Sequence, residues 1–107
     1  MSSKKKAIRE EFRAAVFKRD GYKCRYCDGT ENLDAHHITD RNELPSGGYV
    51  VENGITLCPL HHEQAEEWHS SKGTSFYPHM KPEDLYKKIF SSHERALKAA
   101  AEKSEAT

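Results

Sequence analysis

The chain has 107 residues, 36% of them hydrophobic, with a mean hydropathy of −0.92, which suits one small domain with a thin core, of a size often stapled by a metal or disulfide. No apolar run is long enough to span a membrane or act as a secretory signal, and three cysteines leave one unpaired, so the expectation is a reducing, cytoplasmic setting in which cysteines hold metal. Seventeen Lys/Arg balance seventeen Asp/Glu, but residues 1–25 hold nine bases against three acids and residues 26–71 one base against nine acids, as in a protein that grips a polyanion with one part and holds cations with another.

Ile8, Phe12 and Val16 recur four residues apart, with Ala15 beside them, which predicts a basic helix over about 5–19 with one apolar stripe. Asp20-Gly21 ends it, since glycine takes the left-handed conformation past a last turn without strain. Tyr22 to Gly29 is a tight turn bearing Cys24 and Cys27. Leu33 to Ile38 reads as a short strand, with Leu33, Ala35 and His37 on one face and Asp34, His36 and Ile38 on the other. A loop with Pro45, Gly47 and Gly48 follows, and Tyr49 to Val51 extends it as a β-like piece. Asn53-Gly54 is a turn signal, and Ile55 to Cys58 is a second strand able to pair with the first. Pro59 opens a helix to about Ser70. Residues 70–80 connect it to a last helix over about 82–103, with Leu85, Ile89, Phe90, Leu97 and Ala100 along one side.

Two half-sites carry metal chemistry. Cys24-x2-Cys27 and Cys58-x2-His61 each present two ligands across a tight turn, a set that suits closed tetrahedral zinc. His62 is the alternative to His61, although the two-residue spacing favours His61. With His61 so used, His62 lies about 100° around the helix and faces the hairpin. One of His36 and His37 then joins His62 on a divalent ion. The other stays free to take a proton from water, an ordinary histidine titrating near pH ~6.5.

Taken together, Cys24-x2-Cys27, Leu33-Asp34-Ala35-His36-His37-Ile38, Asn53-Gly54-Ile55-Thr56-Leu57-Cys58 and His61-His62 resemble the HNH endonucleases that carry zinc knuckles around the motif. The resemblance covers roughly residues 8–70. It implies an α+β fold: one domain over 1–107 with a ββα-metal (His-Me finger) core at about 20–70, stapled by zinc and flanked by N- and C-terminal helices. It implies that His37 is the general base and that His36 and His62 hold the catalytic metal. Asn53 is then the residue that braces the loop and the base. Cys24, Cys27 and Cys58 match the zinc cysteines, with His61 in place of the commoner fourth cysteine.

Glu66, one turn after His62, is a further candidate ligand, although acids on helix surfaces are usually just solvated. His69 faces broadly the same way and reads as a surface or packing residue. His79 and His93 carry no motif spacing, and Trp68 is expected to pack on the core with Leu60.

The activity implied is metal-dependent hydrolysis of DNA phosphodiester bonds, by nicking or double-strand cutting, leaving 5′-phosphate and 3′-hydroxyl ends, in a bacterial or phage-infected cell. Two imidazoles suit Mn²⁺, Ni²⁺ or Zn²⁺ better than Mg²⁺. Lys18, Arg19, Lys23, Arg25 and Arg41 are the expected phosphate contacts. With no reading helix evident, specificity is expected to be low or supplied by a partner protein, for a monomer or a dimer. The alternative is a non-catalytic zinc module that binds nucleic acid, which leaves His36-His37 and Asn53 without a purpose. A zinc-stapled interaction domain docking through its last helix is a third reading.

Overall fold

Phe12 and Val16 lie under the hairpin on a helix that runs further than its apolar stripe. The computed structural model describes residues 2–106, with side chains from 4 to 104. Helix α1 (Ser2–Arg19) buries Phe12 and Val16 and leaves its lysines and arginines outside. Gly21, at φ +69°, ends it. The Tyr22 N–H then returns to the Phe17 carbonyl at 2.9 Å, satisfying a carbonyl that the helix end would leave bare.

Strands β1 (Asp34–His37) and β2 (Gly54–Leu57) form an antiparallel pair in which His37 stands opposite Gly54 and His36 opposite Ile55. Gly54 is required for packing. A Cβ there would lie 2.5 Å from Val16 Cγ2 and 2.7 Å from Phe12 Cζ, so α1 rests on bare backbone. Asp20 fixes the angle of that contact. Its carboxylate is buried, accepts the Thr56 N–H at 2.9 Å and takes two hydrogen bonds from the Arg19 guanidinium at 2.7 and 2.8 Å.

Helix α2 (Pro59–Ser70) follows β2 directly, with Cys58 at its N-cap and Pro59 in the first turn, where a missing N–H costs nothing. Ile38, Ile55, Leu57, Met80 and Leu85 form the core that the hairpin shares with the C-terminal segment. Among the described residues, no helix is long and apolar enough to cross a membrane.

The expected single helix over 82–103 is two: α3 (Pro82–Lys88) and α4 (His93–Ala106). Phe90 adopts φ +55°, and the Ser91 N–H closes back on the Tyr86 carbonyl at 2.9 Å. Ser92 then starts α4, its hydroxyl accepting the Arg95 N–H at 3.1 Å. Serine at an N-cap competes with continued helix, and Leu85, Ile89 and Ala100 stay buried because both pieces pack on one core. Phe90 and Leu97, expected inside, are exposed, as is Leu60. Trp68 packs beside Phe76 instead, with ring centroids 5.8 Å apart. The β-like piece expected at Tyr49–Val51 gives way to a 3-10 turn at Val51–Asn53.

Candidate functional site

Four candidate ligands, two before β1 and two after β2, meet at the open end of the hairpin. The turn after α1 folds tightly, with Cys24 N–H on Gly29 O at 2.8 Å and Asp28 N–H on Cys24 O at 2.9 Å. It presents both thiols to the start of α2. Cys27 Sγ lies 3.7 Å from Cys58 Sγ, and His61 Nδ1 lies 3.3 Å from Cys58 Sγ and 3.7 Å from Cys24 Sγ. Tetrahedral zinc, with bonds of roughly 2.3 Å to sulfur and 2.0–2.1 Å to nitrogen, separates its ligand atoms by about 3.6–3.8 Å. Cys24, Cys27, Cys58 and His61 are therefore close enough to hold a metal ion, and the donor set fits zinc.

None of the three cysteines is in a disulfide. Burial raises the Cys58 thiol, but the backbone and imidazole of His61 and the neighbouring thiols overcome this and bring it down to about 6. Metal binding needs that thiolate. Tyr26 covers the group, its ring stacked 5.5 Å from that of His61.

His62, one residue on, points the other way and resolves which histidine goes where. A single oxygen, Glu66 Oε1, stands 3.2 Å from His36 Nδ1 and 3.4 Å from His62 Nε2. Ligands at about 2.1 Å from a shared ion and 90–110° apart would be separated by roughly 3.0–3.4 Å. His36, His62 and Glu66 form a second group that could hold a metal ion. Asp34 lies 3.4 Å from the far nitrogen of His62, a carboxylate–imidazole contact of the kind that orients metal-bound histidines.

His36 is 2% exposed, and its Nε2 is buried without a partner. Burial lowers the pKa of His36 although Glu66 pulls it upward. The hydrogen bond with His36, together with the nearby histidines, outweighs burial at Glu66 and lowers it to about 2. A neutral imidazole facing a carboxylate is the protonation state that ligation needs. The group opens into a cavity of about 230 Å³ that also reaches His37, Asp40 and Arg41.

His37 projects from the opposite face of β1. Its ring stacks on Phe12 at 4.5 Å and meets the edge of Tyr49 at 4.8 Å. Gly54, directly across the ladder, leaves room for that stack. Burial first, then Arg41 and His36, lower His37 to about 4, so it is neutral at pH 7. Its Nε2 is buried without a hydrogen-bond partner, yet the residue lines the cavity of the second metal group and an adjoining one of about 250 Å³.

Asn53 lies outside both cavities and is fully buried. Its Oδ1 accepts from Thr39 N–H at 2.9 Å and Tyr86 O–H at 2.8 Å, and its Nδ2 donates to Thr39 O at 3.1 Å and Gly48 O at 3.2 Å. All four hydrogen-bonding positions of the amide are filled. Asn53 thus ties together the two ends of the loop bearing Arg41 and cannot touch a substrate. Its hydrogen bonds brace the loop, and none of them reaches His37.

Two of the expected phosphate contacts are built into the scaffold. Arg19 grips Asp20 and donates to Val51 O and Gly54 O, both at 2.6 Å. Arg25 lies 3.7 Å from the same carboxylate and donates to Lys88 O. A buried acid, Asp20, captures both guanidinium groups, and no local pattern showed that it would be buried. Lys18 and Lys23 are exposed on the surface, and Arg41 stands at the cavity mouth, donating to Tyr49 Oη at 2.7 Å.

His69, read as a surface or packing residue, lines the cavity with its ring 5.4 Å from that of His36. Its place three residues after Glu66 and seven after His62 was the available signal. A mainly apolar cavity of about 450 Å³ beside Trp68 and α3 contains none of the candidate ligands or His37. No family model matches the chain, and neither does any curated protein or solved structure.

Proposed function

We propose that the protein is a metal-dependent DNA endonuclease of the HNH type, with β1, β2 and α2 forming a ββα-metal core. The observation that carries this reading is the convergence of His36 and His62 on one oxygen of Glu66, at 3.2 and 3.4 Å, with the three ligand atoms within 4.8 Å of one another, beside a neutral imidazole, His37, that is not one of the ligands. A structural zinc on Cys24, Cys27, Cys58 and His61 would hold the end of α1 to the start of α2, a large share of the stability of so small a domain. A second divalent ion on His36, His62 and Glu66 would supply charge stabilisation at the phosphodiester and the departing oxygen. Two nitrogens and one oxygen favour Mn²⁺ or Ni²⁺ over Mg²⁺.

The remaining chemistry belongs to side chains. Phe12 and Tyr49 hold the plane of His37, which accepts the proton of the attacking water. Asp34 holds the ring of His62, and Asn53 keeps the loop carrying Arg41 and Tyr49 closed over the pocket. The low basicity of His37 in the free protein suits a base that meets an anionic phosphate, because a nearby negative charge raises an imidazole's pKa.

A plasmid-nicking assay on zinc-loaded protein tests the reading. Added Mn²⁺ should convert supercoiled DNA, and omission of the added metal should stop it. His37→Ala should abolish nicking while retaining zinc and fold. DNA binding without cleavage under any divalent metal would leave the non-catalytic zinc module in its place.

A further inference from the structure

Two cavities continue from the His37 pocket along α1. The first, about 250 Å³, is walled by Arg9, Phe12, Arg13, Arg41 and Tyr49, and the second, about 510 Å³, by Lys5, Ile8, Arg9 and Arg41. Arg41 borders both of these and also the cavity of the second metal group, so the three form one trough. Lys5, Arg9 and Arg13 stand four residues apart, on one face of the helix, and all three are exposed. Among the described residues, Lys5 and Arg9 form no hydrogen bond or ion pair within the protein. Asp34 is the one acid on the walls of these two cavities, and Arg13 already neutralises it at 3.0 Å. Glu10 and Glu11 line neither cavity.

We infer that this trough is the track for the sugar-phosphate backbone of one DNA strand, with Lys5, Arg9 and Arg41 contacting successive phosphates upstream or downstream of the bond at His37. The inference rests on the nuclease reading and assigns its substrate contacts to the N-terminal half of α1, away from Arg19 and Arg25. From residue 5 to residue 13 a helix rises about 12 Å, the axial length of roughly three to four nucleotides of one B-form strand. Ile8 and Tyr49 supply apolar surface between the cations, suited to deoxyribose. Such contacts carry no sequence information.

The test is salt-dependent binding of zinc-loaded protein to a duplex oligonucleotide, by fluorescence anisotropy without added divalent metal. Each phosphate contact on B-DNA contributes about 0.9 to the slope of log K against log salt. The double variant Lys5→Ala/Arg9→Ala should therefore lower that slope by about 1.8, while Lys87→Ala/Lys98→Ala, exposed lysines elsewhere, should leave it unchanged. An unchanged slope in the first variant, or an equal drop in the second, overturns the track. Plasmid nicking separates this from the nuclease reading. If the wild-type protein nicks and the slope does not move, the track is wrong and the nuclease stands. If the slope falls as expected and no metal supports nicking, the track stands without the catalysis.

Discussion

Replacing Asn53 by alanine should destabilise the protein by about 3–4 kcal/mol. The magnitude follows from which partners lose their only bond. Gly48 O keeps the Val50 N–H at 2.9 Å, and the Tyr86 hydroxyl keeps Thr39 Oγ1 at 2.6 Å. The N–H and carbonyl of Thr39 keep nothing, and Thr39 is buried. Each stranded buried group costs about 1–3 kcal/mol, and a domain of this size holds only about 5–15 kcal/mol in total. Urea unfolding of zinc-loaded protein gives the difference directly, and the melting temperature should fall by at least about 12 °C. Tyr86→Phe should cost less, about 1–2 kcal/mol, because the Asn53 amide retains its other three bonds and only the Thr39 hydroxyl loses its partner. Asn53→Asp keeps the acceptor for Thr39 N–H but turns an oxygen toward two carbonyls, and should be nearly as damaging as alanine at pH 7. A loss under about 1 kcal/mol for Asn53→Ala would refute the view of Asn53 as the clasp of the loop.

Three other outcomes are expected. Gly54→Ala drives a Cβ into Phe12 and Val16 and should cost about 2 kcal/mol, part of which Phe12→Leu recovers in the double variant; equal losses in single and double variants would place the clash elsewhere. Phe90→Gly should gain about 1 kcal/mol in urea unfolding, since the residue sits at φ +55° with a side chain that is 84% exposed and loses little on removal. Acidification should destabilise the protein in a defined window. Above pH ~6.5 His37 is neutral in both the folded and unfolded states and adds no pH dependence. Below it the unfolded chain takes up the proton first, so stability falls until the folded residue itself titrates at about 4, and unfolding midpoints at pH 7 and 5 should differ less for His37→Gln than for wild type.

The ligand spacings were legible because they are local. Cys24-x2-Cys27 and Cys58-x2-His61 need only a turn each, and the structure brings both to one point. The alternation that puts His36 and His37 on opposite faces needs only a strand. Glu66 was legible as a face-sharing neighbour of His62, and the tertiary structure turned it from a solvated acid into the oxygen between two imidazoles. The apolar period of the C-terminal segment was legible too, but a period does not distinguish one helix from two that share a core, and the hydrogen bonds of Ser91 and Ser92 decided that.

Charge was the least legible property. The amino acids alone determined that residues 1–25 are basic and that this chain carries enough thiols and imidazoles for two metal groups. Only the packed structure decided that Arg19 and Arg25 serve Asp20, that Arg9 and Arg41 stay open to solvent, and that Asn53 is enclosed. The reason is range: helix and strand periods act over a few residues, whereas the amide that binds Asp20, the backbone carbonyls that hold Arg19 and Arg25 and the tyrosine that binds Asn53 lie 32 to 63 residues away and meet only once the core has formed.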